Sequence, residues 1–191
     1  MSTIRTFDLT FTSIYQHLER LKNEISVGQL ENLIKILKDT SIMRKRVFIY
    51  SVGRSLLVGK AFAMRLMHLG FDSNIISDIV TPPVGVNDIF LVISKNLSEG
   101  RIALALDKAK KYGAWNIIIT SKKDTPLINK ADYLLIIPDL AQKVKISGVH
   151  TPLGTLFEIS AMVILDSIIA ELMAGLGIKE KEMESRHANI Q

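Results

Sequence analysis

The chain has 191 residues, enough for one sizeable hydrophobic core, and no cysteine, which excludes disulfides and thiolate-bound metals. Its apolar fraction is 48% and its mean hydropathy +0.25, yet the apolar runs are short and interrupted, so no membrane-spanning segment is expected. The net charge of +5 is spread over Arg44–Arg46, Lys108–Lys111 and Lys122–Lys123 without a basic helix or an aromatic-basic stripe, which argues against nucleic acid and suits a small anionic ligand.

Residues 10–38 have helical periodicity, with Ile14, Leu18, Leu21 and Ile25 and then Leu30, Leu33, Ile34 and Leu37 at spacings of three and four. The pattern predicts two helices broken near Ser26–Gly28, a prefix (residues 1–40) that covers the sheet or a partner subunit. Five short apolar runs follow: Val47–Tyr50, Asn74–Ile76, Ile89–Ile93, Trp115–Thr120 and Tyr133–Ile137. Helical segments are expected between them, at about Ser55–Leu69, Glu99–Tyr112 and Pro126–Ala131. A long apolar helix, Leu153–Leu176, ends at Gly177, and the charged tail 178–191 is expected to be partly helical. Continuous rather than alternating strands between helices predict a five-stranded parallel sheet covered on both faces, an α/β three-layer αβα sandwich in one domain. Thr155–Leu176 contains Glu158, Asp166 and Glu171, so it reads as a buried or interfacial helix. No apolar stretch follows a basic N-terminus, and the cytoplasm is the expected compartment.

Ligands in such a sheet bind beyond the carboxyl ends of the strands. Two turns stand there. Ser51-Val52-Gly53-Arg54-Ser55 opens a helix whose N-terminus favours an anion; its bland reading is a turn in which Ser51 or Ser55 caps the helix. Ser94-Lys95-Asn96-Leu97-Ser98-Glu99 offers Ser94 and Ser98 as donors and Lys95 as a cation, but Leu97 suits a backbone cradle poorly. Glu158 stands at the start of an otherwise apolar helix, where a carboxylate must be hydrogen-bonded, exposed or functional. Of the histidines, His17 reads as structural or solvated and His68 as a helix C-terminal residue, where a charged imidazole is favoured; His150 lies in a loop and His187 in the tail. No spaced ligand set occurs, so no metal is expected.

Gly53-Arg54-Ser55, the segment Lys60–Phe71, Pro152-Leu153-Gly154-Thr155-Leu156-Phe157-Glu158, Leu165-Asp166, Ile169–Met173 and Arg186-His187-Ala188-Asn189 together resemble the 6-phospho-3-hexuloisomerases, in the expected order over nearly the whole chain. The resemblance implies a sugar isomerase (SIS) domain of flavodoxin-like fold with an N-terminal helical extension. It also implies a homotetramer with active sites shared between subunits, no cofactor, and interconversion of 3-hexulose 6-phosphate and fructose 6-phosphate in the ribulose monophosphate pathway. It implies Glu158 as the proton shuttle through an enediol(ate), with His187, and secondarily His68, moving a hydroxyl proton. Phosphate is expected on Ser51, Gly53, Arg54, Ser55, Ser94, Lys95, Asn96 and Ser98. The prefix, with Ala161, Met162, Ile164 and Leu165, is expected at a subunit interface, and the tail near the shared site.

Departures from the family pattern collect at the strand ends. Ser51 and Leu56 stand where glycine is usual, and Ser77-Asp78-Ile79 where a Gly-Glu-Thr turn is usual. Lys95 and Leu97 replace both glycines of the Ser-Gly-Ser-Gly loop, and Asn96 its second serine. Two readings follow: side-chain contacts replace the lost backbone cradle and the isomerase works, or the chain is a non-catalytic sugar-phosphate sensor.

Overall fold

The computed structural model describes residues 4–97, 100–140 and 151–190. The chain runs α1 (Arg5–Glu24), α2 (Val27–Ile42), β1 (Val47–Tyr50), α3 (Arg54–His68), β2 (Ser73–Ile75), β3 (Ile89–Ile93), α4 (Gly100–Lys111), β4 (Trp115–Thr120), a 3-10 helix at Pro126–Lys130, β5 (Tyr133–Ile136), α5 (Thr155–Leu176) and α6 (Glu180–Ser185). All strand pairs are parallel, in the order β2-β1-β3-β4-β5. This is the flavodoxin-like order, with its reversal between β1 and β3. The three layers and the five strands are those expected from the continuous apolar runs.

Side chains alternate across the sheet and divide the core in two. Val47, Ile49, Leu91, Ile93, Ile117 and Ile119 face one side, under Leu33 and Leu37 of α2, Phe62 and Leu66 of α3, and Phe157, Leu165 and Leu172 of α5. Phe48, Phe90, Val92 and Ile118 face the other, under Ile102 and Leu106 of α4. Each side chain so buried contributes about 1.5–3 kcal/mol before chain entropy is set against it. The second half of the prefix therefore covers the sheet: α2 lies against β5 and α5. Ser26 caps it, accepting a hydrogen bond from the Gln29 N–H at 3.3 Å.

By length and composition α5 could cross a membrane, but it lies against α2 and α3, with nine residues buried. Ala161, Ile164 and Leu165, expected at a subunit interface, belong to the core of the chain itself; only Met162 of that group is half-exposed. The error has a simple cause: a central helix and an interfacial helix are both apolar on most sides, and periodicity does not separate them. Asp166 and Glu171 lie on its exposed edge.

His17 is buried rather than solvated. Its Nε2 lies 2.8 Å from the Ser160 hydroxyl, tying α1 to α5. Burial holds its pKa below the ordinary histidine range, and Asp139 offsets part of that shift. His68 is pushed down in the same direction by burial, then by His187 and Arg65. The dipole at a helix C-terminus favours a charged imidazole, and at His68 desolvation and two basic neighbours act in the opposite direction. Both groups make stability fall in acid. Their unfolded forms bind a proton below about pH 6.5 while the folded forms still resist it, so unfolding gains protons. Thermal melts are expected to show a loss of stability from pH 7.5 to 5.5. In His17→Gln, which keeps a polar partner for Ser160, that loss is expected to be smaller; an unchanged pH slope would clear His17 of the effect.

Candidate active site at the strand ends

The turn after β1 and the turn after β3 flank the point where strand order reverses, the position at which such sheets take ligands. Gly53 is the N-cap of α3, with φ +64° and ψ −139°, a conformation that disfavours any residue with a Cβ. Among the described residues no side chain caps α3, so neither Ser51 nor Ser55 has the capping role of the bland reading. Ser51 is buried; its hydroxyl donates to the Tyr50 carbonyl at 2.8 Å and accepts from the Ile93 N–H at 3.3 Å, joining the ends of β1 and β3.

Ser55 points at α5. Its hydroxyl donates to Glu158 Oε1 at 3.2 Å. Arg54 lies beside the other oxygen, with Nε 3.7 Å from Oε2 and Nη1 3.5 Å from the Thr155 hydroxyl. The Glu158 side chain is only 11% exposed, and Oε2 is buried without a hydrogen-bond donor among the described residues. Three residues singled out by sequence, Arg54, Ser55 and Glu158, are therefore in one cluster, brought together because α3 and α5 cross on the same face of the sheet. A carboxylate with one oxygen oriented by a hydroxyl and the other free of hydrogen bonds is equipped to accept a proton.

The turn after β3 is fixed from several sides. The Ser94 hydroxyl accepts from the Leu97 N–H at 3.3 Å. The Lys95 carbonyl accepts from the Thr120 hydroxyl at 3.0 Å and from the Ser121 N–H at 3.4 Å, at the end of β4. Lys95 Nζ lies 3.8 Å from Asp139, beyond β5. Asn96 is exposed. Leu97 has φ +47° and is 2% exposed, seated in the core under α4. Ser98 and Glu99, and likewise His150, lie outside the described residues.

Leu97 shows how the turn survives without glycine: burial of its side chain offsets a left-handed backbone that costs about 1–2 kcal/mol for a residue with a Cβ. Leu97→Ala is expected to destabilise by about 2–4 kcal/mol, as for other buried leucines. Leu97→Gly is expected to be no less stable than Leu97→Ala, because glycine relieves the left-handed strain by about 1 kcal/mol. Denaturant melts giving a clearly weaker glycine variant would show that the backbone is not strained there.

His68 and His187 meet each other, not Glu158. Their rings stack with centroids 5.1 Å apart. Arg186 donates to the His68 carbonyl at 2.9 Å and so docks the tail on the C-terminal end of α3. A cavity of about 510 Å³ there is lined by Arg65, Asp166, Met183 and both histidines. Ser55, which holds Glu158, is thirteen residues earlier on α3, roughly 20 Å away at 1.5 Å per residue. Sequence reasoning missed the Ser55 contact to Glu158 and the role of Thr155 beside Arg54; the Gly-Arg-Ser turn and the Gly-Thr-Leu-Phe-Glu stretch held both signals.

Residues 42–165 match the SIS domain family. The chain belongs to the SIS-domain family. It is related to the 3-hexulose-6-phosphate isomerases within it: the SIS chain is 34% identical to one from Methanocaldococcus jannaschii over 190 residues, covering 100% of this chain and 99% of that protein. It is 38% identical to another from Methylomonas aminofaciens over 150 residues, covering 76% and 81%. The crystal structure of a Methanococcus jannaschii protein, from which a 3-hexulose-6-phosphate isomerase function was inferred, has a TM-score of 0.78 at 31% identity, covering 97% of this chain and 98% of that one.

Proposed function

We propose that the protein is a phosphosugar isomerase that interconverts 3-hexulose 6-phosphate and fructose 6-phosphate. The observation that carries the proposal is Glu158, a nearly buried carboxylate on an apolar helix, oriented by Ser55 and bearing one oxygen with no donor among the described residues. The relatives named as 3-hexulose-6-phosphate isomerases supply the substrate class.

The reaction moves a carbonyl from C3 to C2. Glu158 removes the proton from C2, leaving a cis-enediol(ate) across C2 and C3, and returns it to C3. The carbonyl oxygen at C3 gains a proton and the hydroxyl at C2 loses one. His187 of a neighbouring subunit is the proposed carrier of that second proton, with His68 as the alternative. The phosphate does not react, so its contacts supply orientation. We assign it to the free N–H groups and dipole at the start of α3, the Gly53-Arg54-Ser55 turn, with Ser94, Lys95 and Asn96 around it and the buried Ser51 hydroxyl, which donates to the Tyr50 carbonyl, supporting the turn from below. The oligomer is the proposed homotetramer; the exposed Phe7, Phe11 and Tyr15 of α1 are apolar surface that such an assembly would cover.

A second reading has an observation in its favour. The Ser94 hydroxyl already accepts a bond within its own turn, and Lys95 faces Asp139. A turn held in this way departs from a glycine-rich phosphate cradle, and such a departure fits a chain that has kept a sugar-phosphate site and given up turnover. A coupled isomerase assay with 3-hexulose 6-phosphate decides between them. Turnover supports the enzyme; calorimetric binding of fructose 6-phosphate without turnover supports the sensor; neither binding nor turnover sinks both.

A further inference from the structure

We infer that Gly154 is a positioning residue for the Glu158 carboxylate, an inference that takes up the reading of Glu158 as the proton shuttle and adds what fixes its place. Gly154 is the N-cap of α5, and its carbonyl accepts the Glu158 N–H at 3.1 Å. The Glu158 side chain folds back over this first turn. A Cβ built on Gly154 would lie 2.6 Å from Oε2 and 2.7 Å from Oε1. Neither distance is tolerable for a carbon against an oxygen, so any other residue at 154 displaces the carboxylate.

Backbone freedom does not explain this glycine. Its φ is −94° and its ψ 11°, the conformation of the third residue of a type I turn, which residues with a Cβ adopt. Gly53 is the contrast: there φ is +64°, while among the described residues a Cβ would meet nothing within 4 Å. One glycine of the site is required by its dihedral angles, the other by the space above it. The space is occupied by a carboxylate because three influences hold it there. Ser55 donates to Oε1, Arg54 flanks Oε2, and the N-terminal end of α5 favours negative charge. Moving the carboxylate off Gly154 breaks the Ser55 geometry first, since that contact is already 3.2 Å long.

The test uses Gly154→Ala and Gly154→Ser in the full chain, with Glu158→Gln and Gly28→Ala alongside. Serine is among the residues favoured at an N-cap, so it separates loss of capping from loss of positioning. Gly28 has open space where its Cβ would go, and its alanine variant is expected to match the parent protein. Both Gly154 variants are expected to lose at least about tenfold in kcat with KM changed less than about twofold, since chemistry and not ground-state binding is affected. Their melting temperatures are expected to stay within a few degrees of the parent. Crystal structures are expected to show the carboxylate moved away from Ser55. Parental kcat in both Gly154 variants, with Glu158→Gln inactive, overturns the inference and leaves the shuttle intact. Full activity in Glu158→Gln overturns the shuttle; the crystal structures then decide the positioning claim alone, and an unmoved carboxylate sinks it.

Discussion

Glu158→Gln is expected to lower kcat by about a thousandfold, the middle to upper range for removal of a positioned general base. The substitution is nearly isosteric. The amide oxygen still accepts from the Ser55 hydroxyl, so the α3–α5 contact persists. What disappears is the capacity to take a proton from carbon, because an amide has no basic lone pair in the working pH range. Stability is expected to change little. The Arg54 pair is lost, but Arg54 is half-exposed and such a pair is worth about 0–1 kcal/mol, while a desolvated charge is removed at the same time. Coupled assays and thermal melts on the same preparation separate the two effects. A variant that folds, binds fructose 6-phosphate with parental affinity and does not turn over supports the shuttle. A variant with more than about a tenth of parental kcat removes Glu158 from the chemistry.

The difference between what the sequence revealed and what needed coordinates follows from the range of the forces involved. The sheet was legible because Val47–Tyr50 and Ile89–Ile93 are apolar without alternation, a pattern that only a strand covered on both faces sustains. The break between α1 and α2 was legible because Ser26 caps locally. The site was legible only as a set of members. That Ser55 donates to Glu158 depends on how α3 and α5 cross, over a separation of 103 residues. That Leu97 turns left-handed while buried depends on the pocket under α4. No propensity favours a leucine there; tertiary packing overrides it. The lowered pKa of His68 was not legible for the same reason, since the helix dipole acts locally and burial depends on the packed chain.

The turn after β3 also explains how departures from the family pattern are absorbed. Where glycines would have shaped a loop by conformational freedom, this chain shapes it by anchorage: Leu97 in the core, Lys95 held at its carbonyl by β4 and at its amine by Asp139. A loop fixed in this way loses less entropy on ligand binding than a glycine-rich one. It also has less latitude to wrap a phosphate, so the proposed isomerase would rely more on the N-terminus of α3 and on Arg54.

Mixing two inactive variants is expected to restore activity, and this result bears on the architecture of the site. Within one subunit His187 stacks on His68 at the far end of α3 from Glu158. If His187 takes part in the chemistry, it does so at the Glu158 of another subunit. His187→Ala alone is then expected to lose about a hundredfold in kcat, the lower range for loss of an acid–base group. Co-expressed with Glu158→Gln at equal levels, the two chains assemble randomly. Half the sites receive a parental glutamate and half of those a parental histidine, so about one quarter of the parental activity is expected to return. Sites built within single subunits would give none, because every chain bears one lesion. A mixture that stays inactive, with both variants shown by light scattering to assemble, excludes sharing of these two residues. Full activity in His187→Ala alone passes the proton-carrying role to His68, whose buried, neutral imidazole is a competent acceptor at neutral pH.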